Sequence, residues 1–163
     1  MRIVLDTNIW VSGLLWKGLP WRLLRLAEQK KVELCTAGPV LAELYEVLCY
    51  ERLQPRLHQL ALAPEELVAC VLDLASVFEV SAGDPVVADD PDDDIFLHCA
   101  VSAGASYIVS GDRHLLQLEQ YAGIPVVTAR EFLSRHFPEE ERANPRGDDV
   151  SPDRTNLPHP PRF

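Results

Sequence analysis

Short apolar runs alternate with amphipathic stretches along most of this chain, and that alternation predicts its elements. "RIVLD", residues 2–6, reads as a buried strand, "PWRLLRLAEQKK" as a helix beginning near Pro20, and "VELCT" as a second strand. A helix over about residues 39–50 follows, then helical segments from about 51 to 75. The later of these opens at "APEEL", with a proline and two acids in a first turn whose free N–H groups favour negative charge. "SVFEV" is a third strand, a helix covers about 93–103, "SYIVS" is a fourth strand and "DRHLLQLEQY" a helix. "PVVT" and "AREFLSRHF" end the series as a fifth strand and a last helix. Strands that alternate with helices need crossover connections, so the predicted fold is α/β: three α/β/α layers around a central, Rossmann-like parallel sheet of about five strands. In such sheets the functional crevice lies at the carboxyl ends of the strands.

Composition narrows this picture. A chain of 163 residues, 47% hydrophobic, supports one core and not two. Residues 138–163 hold six of the 13 prolines and almost no aliphatic side chains. They cannot bury enough surface to offset their ordering entropy, so the expected organisation is a domain over 1–137 and a flexible, Pro-rich polar tail over 138–163. No apolar run reaches the roughly 18 residues of a membrane span, and Met1 and Arg2 lead straight into the first strand, so a soluble cytoplasmic protein without a membrane partner is expected. The four cysteines, Cys35, Cys49, Cys70 and Cys99, form no C-x-x-C pair and sit among apolar neighbours, as reduced core thiols do. Net charge is −10, and residues 1–137 alone carry 19 acids against 11 Lys and Arg. A general basic surface that coats nucleic acid or anionic membrane is excluded; a polyanion would have to be gripped locally.

The acids are not evenly spread. "ADDPDDDIF", residues 88–96, places five aspartates in six consecutive positions, and like charges held together need solvent, protons or a cation. Asp6 closes the first strand and Asp112 follows the fourth, so one rim of the sheet can hold both. Each also has a simpler reading, Asp6 as an Asx-type turn and Asp112 as a helix N-cap. Glu43 sits inside a helix, where no cap is needed. At about 100° per residue it falls at the border of the apolar stripe Val40, Leu41, Leu44, Val47 and Leu48, where a carboxylate loses part of its hydration. If the next helix starts near Asp93, that residue lies on the inward side with Phe96, Leu97, Cys99 and Ala100, whereas Asp94 projects about 100° away with Val101. Asp89, Asp90 and Asp92 remain as loop or first-turn acids. A calcium loop of the EF-hand type starting at Asp90 fails, because Ile95 stands where glycine is needed and Val101 where a bidentate glutamate is needed.

Asp6, Glu43, Asp93 and Asp112, in that order on an alternating chain of this length, resemble the PIN domain nucleases, in the VapC-like branch of toxin components of toxin-antitoxin pairs. The stretches that carry the likeness are "IVLDTNIWVSGLLWKGLPWRLL", "LAELYEVL", "DPDDDIFLHCAVSAGASYIVSGDRHLL" and "GIPVVTAREFL". The resemblance implies a PIN-like fold, Asp6, Glu43, Asp93 and Asp112 as catalytic and metal-binding acids, and Asn8 and Ser110 as supporting polar residues. Asp94 replaces Asp93 if the helix shifts by one residue. It also implies a ribonuclease that leaves a 5′-phosphate and a 3′-hydroxyl on single-stranded RNA, silenced by an antitoxin protein and assembled as a homodimer.

The chemistry of such a cluster follows from its charge. Oxygen-rich sites suit hard cations, Mg²⁺ foremost with Mn²⁺ able to substitute, and the coupled carboxylates raise one another's pKa values until a cation displaces their protons. Candidate substrate contacts are Lys17, Arg22, Arg25 and Arg113, each with a plain solvated reading. Trp10, Trp16 and Trp21 offer either stacking surfaces or core. His98 and His114 lack the partner spacing of metal ligands. Two other readings stand beside the Mg²⁺-dependent endoribonuclease. One is a catalytically silent PIN-fold module that binds a partner protein. The other, an aspartyl-phosphate phosphatase, wants a second aspartate where this chain has Asn8.

Overall fold

Ile3, Val4 and Leu5 have no exposed surface, which a strand attains only when both neighbours and both faces are covered. The computed structural model describes residues 1–80 and 94–142. Among them, β1 (Arg2–Leu5), β2 (Glu33–Ala37), β3 (Ala75–Phe78), β4 (Tyr107–Val109), β5 (Gln120–Tyr121) and β6 (Ile124–Val127) form one sheet. Their spatial order is β3-β2-β1-β4-β6-β5. All pairings are parallel except β5 with β6. Strand β1 is central, with Val4 level with Cys35 on one side and Ile108 on the other.

Because side chains alternate across a strand, β1 sends Ile3 and Leu5 into one apolar cluster and Val4 into a second. The first cluster is closed by α1 (Thr7–Leu15), α2 (Leu19–Glu28), α4 (Gln54–Leu60), α5 (Pro64–Leu74), α8 (Ala129–His136) and most of α3 (Gly38–Leu48). The second is closed by α6 (Asp94–Ala103) and α7 (Arg113–Gln117). These are the three layers expected. No helix among the described residues is long and apolar enough to cross a membrane.

Three local outcomes differ from the sequence reading. Residues 7–15 form α1, which the pattern did not reveal because the helix is covered on nearly every side: Thr7, Ile9, Trp10, Val11, Gly13, Leu14 and Leu15 are all buried, so no amphipathic period shows. Helix α7 stops at Gln117, and Gln120–Tyr121 pairs antiparallel with β6. Ala122 (φ 49°) and Gly123 (φ 79°) make the two-residue turn between them, the backbone a tight hairpin requires. Pro138–Arg142, the start of the segment read as a tail, forms a short helix, α9, against α8. There the Arg22 Nη1 donates to the Glu140 carbonyl oxygen at 2.7 Å.

Helices α1 and α2 approach closely at Gly13, where a Cβ would stand 3.0 Å from Leu24 Cδ1 and 3.1 Å from the Pro20 carbonyl oxygen. The carbonyl belongs to the start of α2 and cannot swing aside as a side chain can. Gly13→Val should therefore destabilise the fold by about 1–3 kcal/mol, read by denaturant unfolding; wild-type stability would show that the contact is slack.

Candidate active site

The chain leaves β1 for β2 and β3 on one side, then returns through α6 to β4 on the other. The carboxyl ends of β1 and β4 are therefore the point where the strand order reverses, and there the crossovers splay apart. Asp6 follows β1 at this point and is 3% exposed. Its N–H donates to the Val109 carbonyl at 3.1 Å, which extends the β1–β4 ladder by one bond and fixes where the side chain emerges.

Both Asp6 carboxylate oxygens are engaged. Oδ1 accepts from the Ile9 N–H at 2.8 Å, so Asp6 is the N-cap of α1. Oδ2 accepts from the Ser110 hydroxyl and from the Gly111 N–H at 3.2 Å. Ser110, fully buried after β4, in turn accepts the Asp112 N–H at 2.9 Å. Asp112 caps α7 by accepting the His114 N–H at 2.7 Å. Asp112 thus has the N-cap role that the sequence allowed, Asp6 caps a helix where an Asx-type turn was the simpler reading, and the two acids also share one hydrogen-bonded web through Ser110.

Burial pushes the Asp6 carboxyl above its ordinary range; the bonds from Ser110, Ile9 and Gly111 oppose that shift, and the Asp112 charge adds to it. A buried carboxylate beside a second one is the electrostatic condition that a cation relieves.

Glu43 lies in the second turn of α3, half-buried as its border position predicts, and accepts a hydrogen bond from the Thr7 hydroxyl. Thr7, buried at the first position of α1, was missed by sequence reasoning. Its only signal was a hydroxyl directly after the strand-end aspartate. It ties the second acid to the residue next to Asp6, across the packed α1–α3 contact.

The aspartate run resolves in part. Asp93 lies outside the described residues, as do Asp89, Asp90 and Asp92. Asp94 is the first residue of α6 and only 7% exposed, whereas Val101 on the same helical face is 48% exposed. The projection that sent both outward fails at Asp94 because burial at a helix end depends on what stands beside that end. Here α6 packs on β1 and β2 and touches α3.

The remaining candidates separate clearly. Asn8 is exposed on the first turn of α1, Lys17 is half-buried after α1, and Arg113 is exposed beside Asp112. Arg22 is engaged by α9, and Arg25 pairs with Glu28 while lying 5.8 Å over the Trp21 ring. Trp10 is wholly core. His98 is half-buried on α6 and His114 exposed. Among the described residues no three His, Cys, Asp or Glu side chains gather closely enough to hold a metal ion. Mg²⁺, however, keeps several waters and takes only one or two carboxylates along with substrate phosphate oxygens, so the Asp6–Asp112 pair fits it in number and hardness.

A profile of the PIN domain matches residues 2–114, most of the folded chain. The chain belongs to the PIN domain family. PIN domains are generally nucleases and typically use divalent metals. Among solved structures, the chain is similar to the crystal structure of VapBC2 from Rickettsia felis bound to a DNA fragment from their promoter. The TM-score is 0.53 at 16% identity, over 77% of this chain and 97% of that one, a likeness of fold. None of the curated proteins compared with the chain matches it significantly. Within the matched residues β1 and β4 are neighbours, and an acid follows each, Asp6 and Asp112.

The raised Asp6 pKa has a definite consequence for stability. The folded chain holds a proton that the unfolded chain releases near 3.8, so the favourable contribution is present at low pH and is lost as pH rises through the raised folded value. In metal-free protein, the unfolding free energy of wild type minus that of Asp6→Asn should fall as pH increases from about 4 to 7, with a slope of up to about 1.4 kcal/mol per pH unit. Urea unfolding over that range measures it, and a difference that is flat or rises with pH would contradict the assignment.

Proposed function

We propose that this PIN domain is a divalent-metal-dependent endoribonuclease and the toxin half of a toxin-antitoxin pair. The observation that carries the reading is the buried Asp6 carboxylate at the switch point, pushed up in pKa and linked through Ser110 to Asp112. In this reading Asp6 and Asp112 hold Mg²⁺ or Mn²⁺, with Glu43 steadied by Thr7 as the second acid along the chain. Asp93 or the buried Asp94 supplies the third acid. A divalent ion held by these residues would supply a water of lowered pKa and neutralise charge on the scissile phosphate, the chemistry of metal-assisted phosphodiester hydrolysis.

The chain's own residues do the positioning. Ser110 and Gly111 orient Asp6 by donating to Oδ2, and Ile9 fixes Oδ1, so the carboxylate has one orientation before any ligand arrives. Arg113, exposed next to Asp112, and Lys17 are the candidate phosphate contacts; Asn8 is the exposed polar group on the same turn as Thr7. Arg22 is less suited, since α9 occupies its guanidinium. The substrate is single-stranded RNA cut to a 5′-phosphate and a 3′-hydroxyl, in the cytoplasm. An antitoxin partner is supported by the fold shared with a VapBC2 chain, and a homodimer belongs to the same reading.

A second reading, a catalytically silent PIN-fold module for a partner protein, draws on the lack of three gathered acids among the described residues. The two separate on one assay. Asp6→Asn and Asp112→Asn should lower Mg²⁺-dependent cleavage of single-stranded RNA by about a hundredfold or more, and Ser110→Ala by about 10–100-fold through its orienting role. No cleavage by wild type favours the silent module, and cleavage that survives Asp6→Asn removes Asp6 from the catalytic role.

A further inference from the structure

At the amino ends of β2 and β3, opposite the rim that carries the acids, the surface folds into a cleft of about 440 Å³. It is lined by Lys30 and Lys31 from the turn after α2, Glu33 from β2, Asp73 and Leu74 from the end of α5, and Ser76 from β3. These charges are not equally free. Glu33 accepts the Ser76 hydroxyl at 2.9 Å and the Arg2 Nε–H at 3.1 Å, and those bonds hold its carboxyl below the ordinary range, so its charge is already matched. Lys30 and Lys31 are both exposed, and among the described residues neither forms an ion pair. Two uncommitted ammonium groups therefore share the cleft with one uncommitted carboxylate, that of Asp73.

Lys30 stands where the backbone turns left-handed, φ 60°, a conformation that glycine adopts freely and a residue with a Cβ does not. The helix dipole favours cations near the end of α2, but it gives no reason for a lysine in place of glycine at that one position. The turn itself is fixed, with the Lys30 N–H donating to the Ala27 carbonyl and the Lys31 N–H to the Leu26 carbonyl, each at 2.9 Å. Adjacent lysines on such a base suit a dianion. The cleft is larger than a bare phosphate needs and falls in the size range of small-molecule sites. Half-buried Leu74 adds an apolar wall, and Asp73 an acceptor for hydroxyl donors.

We propose that this cleft binds a nucleoside monophosphate, with its phosphate on Lys30 and Lys31, its ribose hydroxyls donating to Asp73 and its base against Leu74. Arg2, level with Glu33, starts β1, and Asp6 follows the end of that strand, so the cleft and the acids are separated by about 13 Å at ~3.3 Å per residue. The two sites are distinct, and this proposal does not depend on the nuclease reading.

The test is isothermal titration calorimetry of the full chain in EDTA with AMP, adenosine and inorganic phosphate. AMP should bind with a Kd below about 1 mM, and Lys30→Gly/Lys31→Gln should weaken it about tenfold or more. Lys30→Gly relieves the left-handed strain, so without ligand its thermal midpoint should stay at or above that of wild type, which separates lost binding from lost folding. Asp6→Asn should bind AMP as wild type does. No binding of AMP, or adenosine bound as tightly as AMP, would overturn the proposal, because the lysines would then hold no phosphate. Inorganic phosphate bound as tightly as AMP would overturn the assignment to a nucleotide. Affinity that survives the lysine changes but falls in Asp6→Asn would move the site to the rim and equally overturn it.

Discussion

The carboxylate of Asp6 is buried at the end of the central strand, and the surrounding structure is arranged to make that tolerable. An ionised carboxylate without partners there would be expensive, and each of its oxygens instead receives donors from a different element: Ile9 from α1, Ser110 and Gly111 from the turn after β4. The Ser110 and Gly111 donors require β1 and β4 to be neighbours in register, which the Leu5–Val109 pairing provides. They do not fully compensate for the lost hydration, since the pKa remains raised. The residual electrostatic cost, enlarged by Asp112, is what a divalent cation would remove.

Local design also explains how a chain of net charge −10 can be read as handling a polyanion. Repulsion between acidic protein and phosphate is screened beyond about 8–10 Å at ordinary ionic strength, so the sign of the nearest groups matters more than the total. At the proposed site the nearest cation in the chain is Arg113, exposed beside Asp112.

Much of this was legible in the sequence, and the exceptions have physical causes. The parallel strands were visible because strands buried on both faces are unbroken apolar runs, and Asp6 and Asp112 were placed on one rim by their positions after two of them. Helix α1 was hidden by its success at burial, since a helix covered all round has no polar face to betray its period. The β5–β6 hairpin was hidden because "LEQY" continues a helical pattern, whereas α7 ends at Gln117 and Glu119 takes a left-handed φ of 60°. Asp94 was sent outward by a projection that knows the helix but not what its end abuts. The bond from Thr7 to Glu43 joins residues far apart in the chain and depends on the α1–α3 packing, which no local pattern encodes.

The central claim, that the Asp6–Asp112 web is a divalent-cation site on a nuclease, is tested most directly by crystals grown with Mn²⁺ and an uncleavable single-stranded RNA. The account predicts an anomalous-scattering peak touching both Asp6 and Asp112, with a phosphate oxygen of the RNA on the same ion. Ordered RNA with no ion at these aspartates, or Mn²⁺ bound only elsewhere on the molecule, would contradict it.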